Sequence, residues 1–185
     1  MAIFTRSEFS SIAREKAGYQ GLKGVANETR KFSKSSSLTS IFLSHSHKDR
    51  SIIEQAQLFF ENLDIRVYVD WADQTMPERT SGITAQRLKN QIISGNDKFI
   101  LLATNNAVVS RWCNWEVGIA DPFKLNKKKM ALLPLAENRG NWDGNEYLQV
   151  YPRIEINDFK YKNGKGYFVW YPDGNWDTLE TWLRR

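Results

Sequence analysis

The stretch SRWCNWEVGIA, residues 110 to 120, gathers Trp112, Cys113, Trp115 and a single acid, Glu116. On a helix Trp112 and Glu116 stand four residues apart and share a face, so an indole wall can flank a carboxylate. The competing reading is that both tryptophans are core residues and that Glu116 caps or pairs with a neighbour. His45 and His47 form an H-x-H pair. Two histidines without a nearby acid cluster make a poor zinc site, so no metal is expected. Cys113, the one cysteine, has the chemistry of a nucleophile, but its place in an apolar helix points to a packing thiol.

These residues need elements to position them. SIFLS, IRVYVD, KFILLAT and KKMALLPLA read as strands. Between them run helical patterns: Ile52, Ile53, Ala56, Phe59, Phe60 and Leu63 behind an S-x-x-D cap (Ser46, Asp49), then Ile83, Leu88, Ile92 and Ile93 up to Gly95, then 111–120 behind the N-cap Ser110. Alternation of strand and helix predicts an α/β fold, a parallel sheet with helices on both faces. In such sheets ligands bind beyond the carboxyl ends of the strands. SHSHKD, WADQTMPERTSG and TNNAVVSRWCNWE all follow strands, so the polar, unusual segments converge on that rim, where Glu116 is expected to be exposed while the opposite helix face packs.

Past residue 136 the pattern changes. Asn163-Gly164 between aromatic-rich segments predicts a hairpin, and NWDTLETWLRR a terminal helix with Trp176, Leu179, Trp182 and Leu183 facing the body. At the other end, residues 1–40 carry seven of the 26 Lys/Arg against three of the 21 Asp/Glu, which concentrates nearly all of the net charge of +5 there. They read as a basic arm, with a short amphipathic helix around Phe9, Ile12, Ala13 and Ala17, followed by a Ser-rich linker. The arm is expected to be solvated, and nucleic acid is not the expected partner. No apolar run approaches the ~20 residues of a membrane span and no secretory h-region opens the chain, so the expected location is cytoplasmic.

In order and spacing, IFLSHSHKDR, VYVDW with its polar loop, and SRWCNWEVGIA resemble the successive boxes of the Toll/interleukin-1 receptor (TIR) domain family. The resemblance covers a core of residues 41–136, with 137–185 as an extension packed on it. It implies a flavodoxin-like, five-stranded parallel sheet. It also implies an NAD-cleaving enzyme in which Glu116 is the catalytic acid and Trp112 lies at the nicotinamide-ribose side of the pocket. Phe42, Ser44 and His45 fall where the family's first box lines the nucleotide pocket, strand-end packing and turn formation being the other reading. Asp70 and Trp71 begin the loop that covers the site, and Arg79 and Arg87 are candidates for the pyrophosphate.

One carboxylate suffices for that chemistry. Ordinary glycoside hydrolysis uses two acids because the leaving oxygen must be protonated. Nicotinamide leaves oxidised NAD as a neutral base, so the remaining task is to hold the ribose and stabilise an oxocarbenium-like transition state. The resemblance therefore implies an NAD glycohydrolase or cyclase, releasing nicotinamide and ADP-ribose or a cyclic ADP-ribose signal in bacterial immunity. NAD is the substrate and no cofactor is implied; self-association and an effector that senses the product are the expected partners, with no membrane. The alternative is a non-catalytic TIR module acting by homotypic association.

Overall fold

Apolar residues on both faces of each central strand require two cores, one on either side of the sheet. The structure, a computed structural model, describes residues 2–17, 38–73, 81–137, 142, 144–157 and 166–185. Strand β1 (Phe4–Thr5) leads into helix α1 (Arg6–Ala17), which is followed by β2 (Ser40–Ser44), α2 (Arg50–Glu61), β3 (Arg66–Tyr68) and α3 (Gly82–Asn90). Next come β4 (Lys98–Ala103), the single turn α4 (Asn105–Val108), α5 (Arg111–Ala120) and β5 (Met130–Ala136). The chain closes with β6 (Arg153–Asn157), β7 (Gly166–Trp170), β8 (Trp176–Thr178) and α6 (Leu179–Arg184).

One sheet runs in the order β3-β2-β4-β5-β6-β7-β8. Strands β3 through β6 are parallel, which is the expected five-stranded core, and β7 and β8 extend it in antiparallel fashion. The chain leaves β2 toward β3 on one side and returns to β4 on the other. The order therefore switches at β2, and the crevice favoured by ligands opens at its carboxyl end. Side chains alternate along the strands. Ile41 and Leu43, Ile100 and Leu102, and Leu133 face a core closed by Phe9, Ile53, Phe59 and Trp182 from α1, α2 and α6. Phe42, Phe99, Leu101 and Leu132 face the other core, closed by Leu88, Ile92, Val108, Cys113 and Val117.

Several expectations need correction. The fifth parallel strand lies beyond residue 136, at Arg153–Asn157, where Leu132 pairs with Arg153. Nor is the N-terminal segment a solvated arm as far as residue 17. Phe4 and Thr5 pair with Leu135 and Ala136, Ala2 exchanges backbone hydrogen bonds with Ile156, and Phe9 and Ala13 are buried. The predicted helix is there, but its apolar stripe is recruited into the core. The linker beyond it and Asn163-Gly164 lie outside the described residues, although β6 and β7 pair as hairpin arms. Ile83 is exposed, and Trp176 stays half exposed, packing edge to face on Phe168 of the last strands rather than into the core. Among the described residues no helix is long and apolar enough to cross a membrane.

Candidate functional site

Ser110 starts α5 as predicted, its hydroxyl accepting from the Cys113 amide at 3.4 Å. From that start, Cys113, Glu116, Val117 and Ala120 fall on the face turned to the sheet. Glu116 is thus buried, 5% exposed, and the expectation of a rim-exposed carboxylate is wrong. The tryptophans take the outer face. Trp112 and Trp115 are each 38% exposed and meet edge to face at 5.2 Å, so they are not the core residues of the competing reading.

Ser44 ends β2 directly opposite, and its hydroxyl donates to Glu116 Oε2 at 2.5 Å. This bond joins the end of the first core strand to the third core helix, across 72 residues of sequence. Burial pushes the Glu116 carboxyl up to about 8; the nearby Asp70 charge adds to the rise and the Ser44 hydrogen bond opposes it. A carboxyl raised that far is largely protonated at neutral pH. Cys113, fully buried, has its thiol pushed up to about 11, first by burial, as a packing thiol does.

The other expected residues divide. His45 is buried beside Ser44, with Nδ1 2.8 Å from the Leu43 carbonyl oxygen and Nε2 3.3 Å from Asp70 Oδ1. Burial depresses its basicity, although Asp70 works against that. Asp70 also accepts from the Trp71 amide at 2.8 Å. Trp71 itself turns toward the α2 side, its ring 5.1 Å beneath the Arg50 guanidinium. Phe42 does not reach a ligand surface. It is 2% exposed and stacks between Tyr68 and Phe99 at 5.4 and 5.7 Å, so it forms the floor of the site. Arg87 lies exposed on α3, and Arg79 falls outside the described residues.

Two hollows lie elsewhere on the surface of the domain. One of about 300 Å³ opens against Ala85, Arg111, Trp112 and Trp115. The other, of about 610 Å³, follows the edge strand β3 past Tyr68 and Asp73. Glu116 lines neither, and the larger volume marks a groove at the sheet edge rather than the chemistry. Glu116 and Ser44 sit at the topological switch, which is the stronger criterion for the centre of the site.

Sequence reasoning missed Tyr68, which stacks on Phe42, donates to Asp73 Oδ2 at 2.9 Å and is held above its usual range by burial and that bond. It also missed the wall built by Asp49. Instead of completing the predicted capping pattern, the Asp49 side chain accepts from Thr104 Oγ1 at 2.6 Å, from Asn106 Nδ2 at 2.9 Å and from the Arg6 guanidinium. Trp142, from the C-terminal extension, donates to the Ala103 carbonyl at 2.6 Å and so covers the end of β4. Only the polar types after each strand hinted at these contacts.

The chain is 31% identical over 139 residues, 73% of its length and 70% of the relative's, to a protein of Bacillus cereus (strain MSX-D12) named "Probable 3' cyclic ADP-D-ribose synthase ThsB'". It is 32% identical over 80 residues, 42% of its length, to a protein of Cytobacillus dafuensis named "Putative cyclic ADP-D-ribose synthase TIR2", of which the match spans 21%. Residues 41–165 match the family model described as TIR domain, a span that takes in the whole parallel sheet, Ser44 and Glu116. The chain belongs to the TIR domain family.

Proposed function

We propose that this protein cleaves the bond between nicotinamide and ribose in NAD and closes the remaining ADP-ribose into a cyclic product. The observation that carries the reading is the buried Glu116 carboxyl at the switch point, with the Ser44 hydroxyl as its partner. The names of both relatives support cyclic ADP-ribose as the product class.

The ring nitrogen of nicotinamide is cationic in NAD. A cation brought against Glu116 favours its ionised form, so substrate binding itself would charge the acid. As the bond from ribose C1′ to nitrogen breaks, the electron pair leaves with nicotinamide and positive charge spreads over C1′ and the ring oxygen. The Glu116 carboxylate, oriented by Ser44 in a dry site, stabilises that charge. A nucleophile of the same ADP-ribose then takes C1′ and loses its proton, giving the cyclic product; water in its place gives ADP-ribose. His45 and Asp70 form the wall next to Ser44, while Trp112, on the outer face of α5, lies one helical turn from Glu116 at the edge of the site.

The test is to incubate the purified protein at high concentration with NAD, beside Glu116→Gln, and to separate nicotinamide, ADP-ribose and cyclic products by chromatography. Nicotinamide and a cyclic product from the wild type alone are expected. Equal turnover by Glu116→Gln would overturn the assignment, and ADP-ribose as the sole partner product would replace cyclisation by hydrolysis.

A second reading, homotypic association, draws support from the exposed Trp112 and Trp115 at the 300 Å³ hollow and from Ile83, exposed on α3. Specific activity that rises with protein concentration would join the two readings, because assembly would then complete the site. The expected setting is the bacterial cytoplasm, where a diffusible cyclic product can reach an effector.

A further inference from the structure

His45, His47 and Asp70 meet at the carboxyl end of β2, although Asp70 is more than 20 residues from either histidine in the chain. The expectation of no metal rested on the lack of an acid beside the H-x-H pair, and the fold supplies that acid. His45 Nε2 lies 3.3 Å from Asp70 Oδ1, His47 Nε2 lies 3.6 Å from Asp70 Oδ2, and the donor atoms of all three residues fall within 4.8 Å of one another.

The state of His45 follows from its neighbour. A carbonyl oxygen only accepts, so the 2.8 Å contact with Leu43 places the proton on Nδ1. In the neutral ring Nε2 then carries a bare lone pair, and it sits in a side chain only 3% exposed, without a hydrogen bond, facing a carboxylate. Two acceptors held face to face in a buried place are unfavourable unless something positive lies between them. No hydrogen bond joins Nε2 to Asp70, so the 3.3 Å approach is left without a directed contact.

We infer that His45 Nε2, His47 Nε2 and an oxygen of Asp70 bind a divalent metal ion of the zinc class, with a fourth position open. Tetrahedral zinc with ligands at ~2.0–2.1 Å has edges near ~3.4 Å, whereas an octahedral ion at that bond length has edges near ~3.0 Å. The separations of 3.3 and 3.6 Å run to different Asp70 oxygens; each brings an imidazole within about one ligand-to-ligand edge of the carboxylate, nearer the tetrahedral figure than the octahedral one. The supporting shell is in place as well. The Leu43 carbonyl fixes the His45 tautomer, as outer partners of metal-bound histidines do, and the Trp71 amide steadies Asp70. His47 is exposed and able to swing onto the ion. The inference stands on these three residues and is independent of the NAD reading.

The untagged full chain, stripped with chelator, is titrated with Zn²⁺ by calorimetry and with Co²⁺ by absorption spectroscopy. One equivalent of zinc is expected, with a cobalt spectrum of tetrahedral intensity and a melting temperature that rises with zinc. His47→Ala and Asp70→Asn should each weaken zinc binding by at least about tenfold. The exposed position of His47 lets that variant fold, which its melting curve without metal verifies. Absence of stoichiometric binding, affinity unchanged in both variants, or an octahedral cobalt spectrum would overturn the inference.

Discussion

Asp49 and Glu116 are both buried acids at the carboxyl end of the sheet, 2% and 5% exposed, yet they are treated in opposite ways. Asp49 collects the Arg6 guanidinium, the Thr104 hydroxyl and the Asn106 amide. Through Arg6, which also pairs with Glu137 at 2.8 Å, it ties the first helix to the rim of the sheet. Among the described residues Glu116 has one hydroxyl, from Ser44, and no cation. A buried charge that is paired and saturated holds structure together. One left nearly alone is held neutral and gains its charge when a cation arrives. The difference separates an acid that ties elements together from the one proposed to act on the substrate.

The sharpest way to break the comparison is to neutralise each acid in turn. Glu116→Gln should lower nicotinamide release by about a thousandfold, on the scale of losing a principal transition-state contact, while leaving the circular dichroism spectrum intact. Asp49→Ala should do the reverse in kind. It leaves Arg6 with Glu137 alone and strips the Thr104 and Asn106 donors of their acceptor, so it should cost about 1–3 kcal/mol in chemical denaturation.

Acidity provides the next test. Because the Glu116 carboxyl is raised from 4.5 to about 8 in the fold, between those values the unfolded chain has lost its proton while the folded chain keeps it. Its contribution is fully present below pH 4.5 and is lost as pH rises toward 8. Glu116→Gln does not titrate there, so it should match the wild type near pH 4.5 and exceed it above pH 8 by on the order of 5 kcal/mol in denaturant melts. The smallest expected effect is that of Ser44→Ala. Removing a bond that favours the ionised form should cost about 1 kcal/mol and move the rising limb of the pH profile of kcat/KM to higher pH. A limb that stays in place would mean that Ser44 does not tune the acid.

Much of the fold was legible because it is written in local pattern. Strands SIFLS and KFILLAT, the helices between them and the Ser110 cap announce themselves through apolar spacing and side-chain chemistry, and the boxes around them pointed to Glu116 and Ser44. Which side of α5 would face inward was not legible. Bulk hydrophobicity favours burying the indoles, but the core on that side is already filled by Phe42, Phe99, Leu101 and Leu132 from the sheet with Cys113 and Val117 from α5, and the tryptophans remain partly exposed. For the same reason Phe42 became floor rather than wall, fixed by the stack with Tyr68 and Phe99.

The sequence by itself determined the alternation of elements, the caps that start them and the residue types delivered to the rim, since each depends on neighbours within a few positions. Tertiary structure alone decided that Arg6 would pair with Asp49, that Asp70 would meet His45 and His47, and that Glu116 would be buried and largely protonated. Those outcomes depend on which distant segments exclude water from a group and which charges they bring near it, and such quantities exist only once the chain has closed on itself.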